Sequence, residues 1–125
     1  MRYLIDTTCC IYLFAGTYPA LGKRIGATPY GEIGLSMIVF AELALGSLNG
    51  KAPPMEVLER LARQMPLLPF DEAAALAYAR LPFRRGRYDH LLAGHALSRG
   101  LAIITRNERD FGGIPGLRTE DWTRS

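Results

Sequence analysis

Between Glu32 and Lys51 the chain runs for eighteen residues with a single ionisable side chain, Glu42. A stretch so poor in charge has to be buried. Its composition predicts a short strand, Ile33-Gly34-Leu35-Ser36, and then a helix capped by Ser36 that runs through Met37 and Leu45 to Gly46 or Gly50. Glu42 falls inside that apolar helix. A carboxylate there is costly unless it is paired, binds a cation or lies on a narrow wet face of the helix, and the segment alone leaves these roles open.

The same alternation recurs along the chain. Residues 2–6 read as a first strand ending on Asp6, followed by a helix over roughly 9–15 that Thr7 or Thr8 caps, with Gly16 and Pro19 breaking it. Asp6 itself is either a simple helix cap or a functional acid delivered at a strand exit. Further helices are expected over 19–26, Met55–Gln64, Glu72 to about Tyr78–Leu81 behind an Asp71 cap, and a nearly apolar helix over Tyr88 to Leu97 for which Gly100 can serve as C-cap. Strands are expected as a marginal edge within 65–70, at Leu101–Ile104 and at Leu117–Thr119. Asn107 is expected to cap a turn with Asp110 three positions on, and Trp122 to pack the tail. Short strands separated by helices, without hairpin signals, predict one domain over 1–125: a three-layer α/β/α fold with a mainly parallel central sheet.

Charge is unevenly placed. Residues 1–79 carry six Arg or Lys against seven acids, whereas residues 80–125 carry nine Arg against five acids. An excess made only of arginine suits planar, bidentate contact with phosphate or carboxylate, hence a nucleic acid or an acidic protein. Cys9 and Cys10 are adjacent and have no metal-ligand or disulfide spacing, which suggests reduced, buried thiols. No secretory pattern and no apolar run of roughly 20 residues is present, so a cytoplasmic protein without a membrane partner is expected. Nor is there a dinucleotide or Walker A fingerprint.

In a parallel sheet the strand exits gather on one edge. Asp6 stands at one exit, Glu42 in the helix after another, Asp89 in the first turn of the helix before a third, and Asp110 beyond that third strand. Clustered carboxylates repel one another, and a hard divalent cation relieves that repulsion. Mg²⁺ or Mn²⁺ with carboxylates, and with the Thr7 and Thr105 hydroxyls nearby, would activate water against a phosphodiester. Metal-assisted hydrolysis of RNA or DNA is thus the expectation from the acids themselves. His90 and His95 lie five positions apart, unlike a zinc-binding helix pair; His95 reads as a core or interface histidine and His90 as a neighbour of Asp89.

An ordered set of motifs covers nearly the whole chain: Tyr3-Leu4-Ile5-Asp6-Thr7; Ser36 with Glu42; Tyr88-Asp89-His90-Leu91-Leu92-Ala93-Gly94-His95-Ala96; Ile104-Thr105-Arg106-Asn107-x-x-Asp110-Phe111; and Ile114-Pro115-Gly116-Leu117-Arg118-x-Glu120-Asp121-Trp122. The set resembles the PIN-domain ribonucleases, specifically the VapC toxins of VapBC toxin–antitoxin systems. The resemblance implies a PIN fold, a homodimer, an Mg²⁺- or Mn²⁺-dependent endoribonuclease acting on structured RNA such as transfer or ribosomal RNA, and silencing by a VapB antitoxin. It assigns Asp6, Glu42 and Asp89 as the main acids and Asp110 as the fourth. Thr7, Thr8, Thr105 and Asn107 would support them, and Arg84, Arg85 and Arg87 would guide RNA. The cation would bridge Asp6, Asp89 and the scissile phosphate while Glu42 orients water. Thr8 stands where the family usually has Asn, and the link from Tyr78 to Tyr88 is shorter than usual. The alternative is a catalytically impaired PIN-domain protein that acts through antitoxin or nucleic-acid binding.

Overall fold

A computed structural model describes residues 1–82 and 88–124. Its centre is a five-stranded sheet: β1 (Tyr3–Ile5), β2 (Ile33–Ser36), β3 (Leu67–Leu68), β4 (Ala102–Ile104) and β5 (Thr119–Glu120), in the order β3-β2-β1-β4-β5. Every strand pair is parallel, and the register sets Leu4 beside both Gly34 and Ile103. Strands covered on both faces have no polar side to present, which is why β1 and β4 are apolar throughout. Leu4, Ile5, Ile103 and Ile104 are fully buried, and each such side chain stabilises the fold by roughly 2 kcal/mol relative to exposure.

Among the described residues six α-helices join the strands: α1 (Thr7–Ala15), α2 (Pro19–Gly26), α3 (Met37–Leu48), α4 (Met55–Gln64), α5 (Glu72–Ala79) and α6 (Tyr88–Arg99). With the sheet they form the expected three-layer α/β/α arrangement. The helix α6 presses on α5 so closely that a Cβ on Gly94 would lie 2.6 Å from Tyr78 Cα. Behind β5, Trp122 is buried and meets Tyr3 edge to face at 4.9 Å. No helix among the described residues is long and apolar enough to cross a membrane.

Three local expectations are corrected. Asp6 caps α1, its Oδ1 accepting from Cys9 N at 2.8 Å, so Thr7 and Thr8 lie inside the first turn and do not cap it. Asn107 precedes a short 3₁₀ turn, Glu108–Phe111, but its side chain makes no cap; its N–H donates to Thr105 Oγ1 at 3.0 Å, and that hydroxyl satisfies the turn from upstream. The last strand starts at Thr119, not at Leu117, because Thr119 and Glu120 are the residues that register with Ile103 and Ile104.

Candidate active site

Because all five strands run the same way, their C-terminal ends open on one edge of the sheet. Asp6 follows β1, Ser36 ends β2, Thr105 follows β4 and Asp121 follows β5. Asp6 is only 5 % exposed. Its carboxylate accepts from the Cys9 backbone and the Thr105 hydroxyl, both neutral donors. Burial pushes its proton affinity above the ordinary 3.8, three hydrogen bonds, from the Thr105 hydroxyl and from the Cys9 backbone and thiol, pull it back, and the nearby Asp89 charge raises it further. Thr105 is itself fully buried, held there by the 3.0 Å bond from its N–H to Glu120 O.

Glu42 and Thr7 meet across the gap between α3 and α1. Thr7 Oγ1 donates to Glu42 Oε1 at 2.7 Å. Both line a groove of about 460 Å³ together with Ile11, Leu43, Lys51 and Tyr88, the residue before Asp89. Glu42 thus takes the partly wet position that an apolar helix permits, and the groove gives a ligand access to it. Asp89 is half-buried in the opening turn of α6, and His90 beside it is buried. Thr8 is half-buried one residue behind Thr7.

Asp110 and Asn107 stand elsewhere. Both are exposed and line a second groove of about 400 Å³ with Arg106, Glu108, Arg109 and Arg124. The two grooves flank the buried Asp6: Arg106 follows Thr105 directly, and its backbone reaches the Cys9 thiol. Asp6 therefore has Asp89 and Thr105 as neighbours, and Glu42 is tied to the same strand exit through Thr7, the residue after Asp6, whereas Asp110 and Asn107 line the other groove. Arg84, Arg85 and Arg87 lie outside the described residues.

Among the described residues no three acidic, His or Cys side chains are gathered tightly enough to grip one ion as they stand. The donor set nevertheless suits a hard cation. Asp6 is a buried anion whose hydrogen-bond donors carry no charge, and a second carboxylate raises its proton affinity instead of offsetting its charge. An oxygen-rich pocket under that repulsion is what Mg²⁺ or Mn²⁺ compensates best.

Two further features were not singled out as site residues by the sequence. Asp121 has a side chain only 8 % exposed, accepts from Thr123 N at 2.9 Å and is close enough to raise the Cys9 thiol; its position at a fourth parallel strand exit was the available hint. The second is a fully buried pair, Ser36 Oγ and His95 Nδ1 at 2.8 Å, which ties the start of α3 to the middle of α6. Burial holds His95 below its ordinary proton affinity, so it sits in the core as a neutral ring, as its apolar surroundings suggested. A further groove of about 520 Å³ lies between α5 and α6, walled by Leu76, Ala77, Leu97 and Pro115, and none of its lining residues is acidic.

The model of the family described as PIN domain matches residues 3–117. The tRNA(fMet)-specific endonuclease VapC of Shigella flexneri is 32 % identical, the match covering 98 % of this chain and 99 % of that protein. Ribonuclease VapC1 of Haemophilus influenzae strain R2866 is 29 % identical over 99 % of this chain and all of its own length. Among solved structures, DNA-bound VapBC from Salmonella typhimurium superposes with a TM-score of 0.85 at 32 % identity, covering 98 % of both chains. VapBC-1 from nontypeable Haemophilus influenzae gives 0.80 at 27 % identity, covering 99 % of this chain and all of that one.

Proposed function

The chain belongs to the PIN-domain family as a metal-dependent ribonuclease toxin of the VapBC type, and from that premise we propose that Asp6, Glu42 and Asp89 form its catalytic centre. The observation that carries this reading is the buried Asp6 carboxylate, held only by neutral donors and facing the charge of Asp89. Asp6 and Asp89 would hold the cation, Glu42 would orient the attacking water, and Asp110 would contribute from the neighbouring groove. Thr105 fixes the Asp6 carboxylate, and Thr7 fixes Glu42 at 2.7 Å. A divalent cation bound there supplies charge neutralisation at the scissile phosphate and an activated water.

Each residue has a distinct task in phosphodiester hydrolysis. The water must enter in line with the departing ribose oxygen, so an acceptor fixed at one distance outperforms a mobile one. The Thr7 hydrogen bond provides that fixing for Glu42, which lines the groove. Thr8, in the turn that follows β1, stands one position from this contact and has a hydroxyl in place of the family's usual amide.

The substrate we propose is structured RNA, with an initiator transfer RNA the first to test, since two relatives at 32 % identity are named for tRNA(fMet). A VapB-like antitoxin silences the chain, by analogy with the VapBC assemblies it superposes on, and the active form is a single-domain homodimer. Incubating purified protein with total transfer RNA and Mg²⁺ or Mn²⁺, with and without the product of the neighbouring gene, tests the reading. Cleavage that the partner suppresses supports it. Partner binding with no cleavage of any RNA at any metal concentration favours the impaired, binding-only alternative.

A further inference from the structure

The arginine excess of the C-terminal part has a destination besides residues 84–87. The groove edged by Asp110 is walled by Arg106, Arg109 and Arg124. A second depression, of about 640 Å³, adjoins it and is lined by Lys23, Arg24 and Arg124 among others, so Arg124 belongs to both. The two depressions meet at Arg124, and between them they are lined by five cationic side chains, from Arg106, the residue after the Asp6-bonded Thr105, to Lys23 and Arg24 on α2.

Asp110 edges the first groove, and the other acids nearby do not neutralise this cationic lining. Glu108 is engaged by the Thr119 hydroxyl at 2.7 Å. Glu120 holds Arg24 at 3.2 Å and Asp121 holds Arg124 at 3.3 Å, but these guanidinium side chains are 52 % and 85 % exposed, and ion pairs so open to water are weak and readily exchanged. Lys23, Arg106 and Arg109 have no carboxylate within salt-bridge distance among the described residues. Arg106 lies over the Tyr18 ring at 5.1 Å and Arg24 over Trp122 at 4.2 Å. Rings behind the guanidinium planes fix their direction while leaving the N–H edges outward, the presentation that suits phosphate oxygens and stacked bases.

The geometry points to this track, Arg106–Arg109–Arg124–Arg24–Lys23, as the surface that binds the single-stranded RNA flank leaving the cleavage site. It rests on the ribonuclease reading above and assigns to it a phosphate-binding path distinct from residues 84–87. An acidic protein segment is the competing occupant; RNA is favoured because the cationic lining begins next to Thr105 and extends across both depressions through Arg124, which suits a backbone with one charge per nucleotide.

The test measures binding of a fluorescently labelled single-stranded oligouridine to the full chain in EDTA, where cleavage is suppressed, across a salt series. The variants are the Arg109→Gln/Arg124→Gln double and its Lys counterpart. The Gln double should lose about fivefold or more in affinity, and the slope of log affinity against log salt should fall by about 1.4, from about 0.7 per phosphate contact in a single strand. The Lys double should keep most of that slope. Equal binding and equal slope in the Gln double would overturn the track. So would a loss of antitoxin affinity in the Gln double with RNA binding intact, because the surface would then serve a protein. If the unaltered chain binds oligouridine but cleaves no RNA once metal is restored, the ribonuclease reading fails while the binding result still judges the track.

Discussion

Thr7 Oγ1 donates a 2.7 Å hydrogen bond to Glu42 Oε1 across thirty-five positions of sequence, and this contact ties an acid in an apolar helix to the first turn after β1. Removing the donor with Thr7→Val leaves a partly buried carboxylate short of a bond worth about 1.5–3 kcal/mol when the acceptor is charged. Cleavage of RNA should fall by about tenfold or more, with Thr7→Ser retaining most of it. Steady-state rates for the two variants check this, and equal rates for Val and wild type would remove Thr7 from the machinery.

Asp6 links the site to stability. Burial raises its proton affinity in the folded state above the ordinary 3.8, so the folded chain holds that proton more tightly than the unfolded one. The sign follows: in the absence of metal this contribution is fully present below about pH 3.8 and is lost as pH rises through the folded-state value. Asp6→Asn keeps an acceptor for the Cys9 N–H, removes the buried charge, and should make the metal-free protein more stable than wild type at pH 7. Urea unfolding in EDTA between pH 4 and 8 measures it. Added Mn²⁺ should stabilise wild type and not the variant.

The strand-helix alternation was legible because it rests on local chemistry. Asp71 caps α5 and Ser36 caps α3 through their own side chains, Ile33–Ser36 is a short apolar run ahead of that cap, and Met55–Gln64 follows the Pro53-Pro54 break. Asp6, Glu42 and Asp89 stood out for a related reason, each being an acid in an apolar setting. What spacing cannot convey is long-range partnership. The Thr7–Glu42 bond, the Ser36–His95 pair and the arginine track each join segments far apart in sequence. Asp6 illustrates the limit well: capping and chemistry looked like alternatives, yet one carboxylate both caps α1 and faces Asp89.

Gly94 sets the approach of α6 to α5. A Cβ there would sit 2.6 Å from Tyr78 Cα, and backbone has little room to yield. Gly94→Ala should destabilise the fold by roughly 1–3 kcal/mol despite alanine's better helix propensity. Thermal and urea unfolding will read this directly, and a stabilised variant would show that the helices separate freely. Because Asp89 begins the same helix, the variant should also weaken metal binding.

The two thiols are held inert. Cys9 and Cys10 are fully buried, and burial together with the Asp6 charge drives both well above the ordinary thiol range. Neither should react with Ellman's reagent at pH 8 in the native protein, and both should react once it is unfolded in guanidinium. Rapid labelling of the native chain would place a thiolate at the site's wall and contradict the packing described.

The central claim is that Asp6 and Asp89 together hold the cation that RNA cleavage needs. The most direct measurement is calorimetric titration of Mn²⁺ into wild type, Asp6→Asn and Asp89→Asn, with transfer RNA cleavage followed on the same preparations. The account predicts that each substitution weakens Mn²⁺ binding by at least about tenfold and abolishes cleavage in a protein that still unfolds cooperatively. Wild-type Mn²⁺ affinity and cleavage in either variant would contradict it.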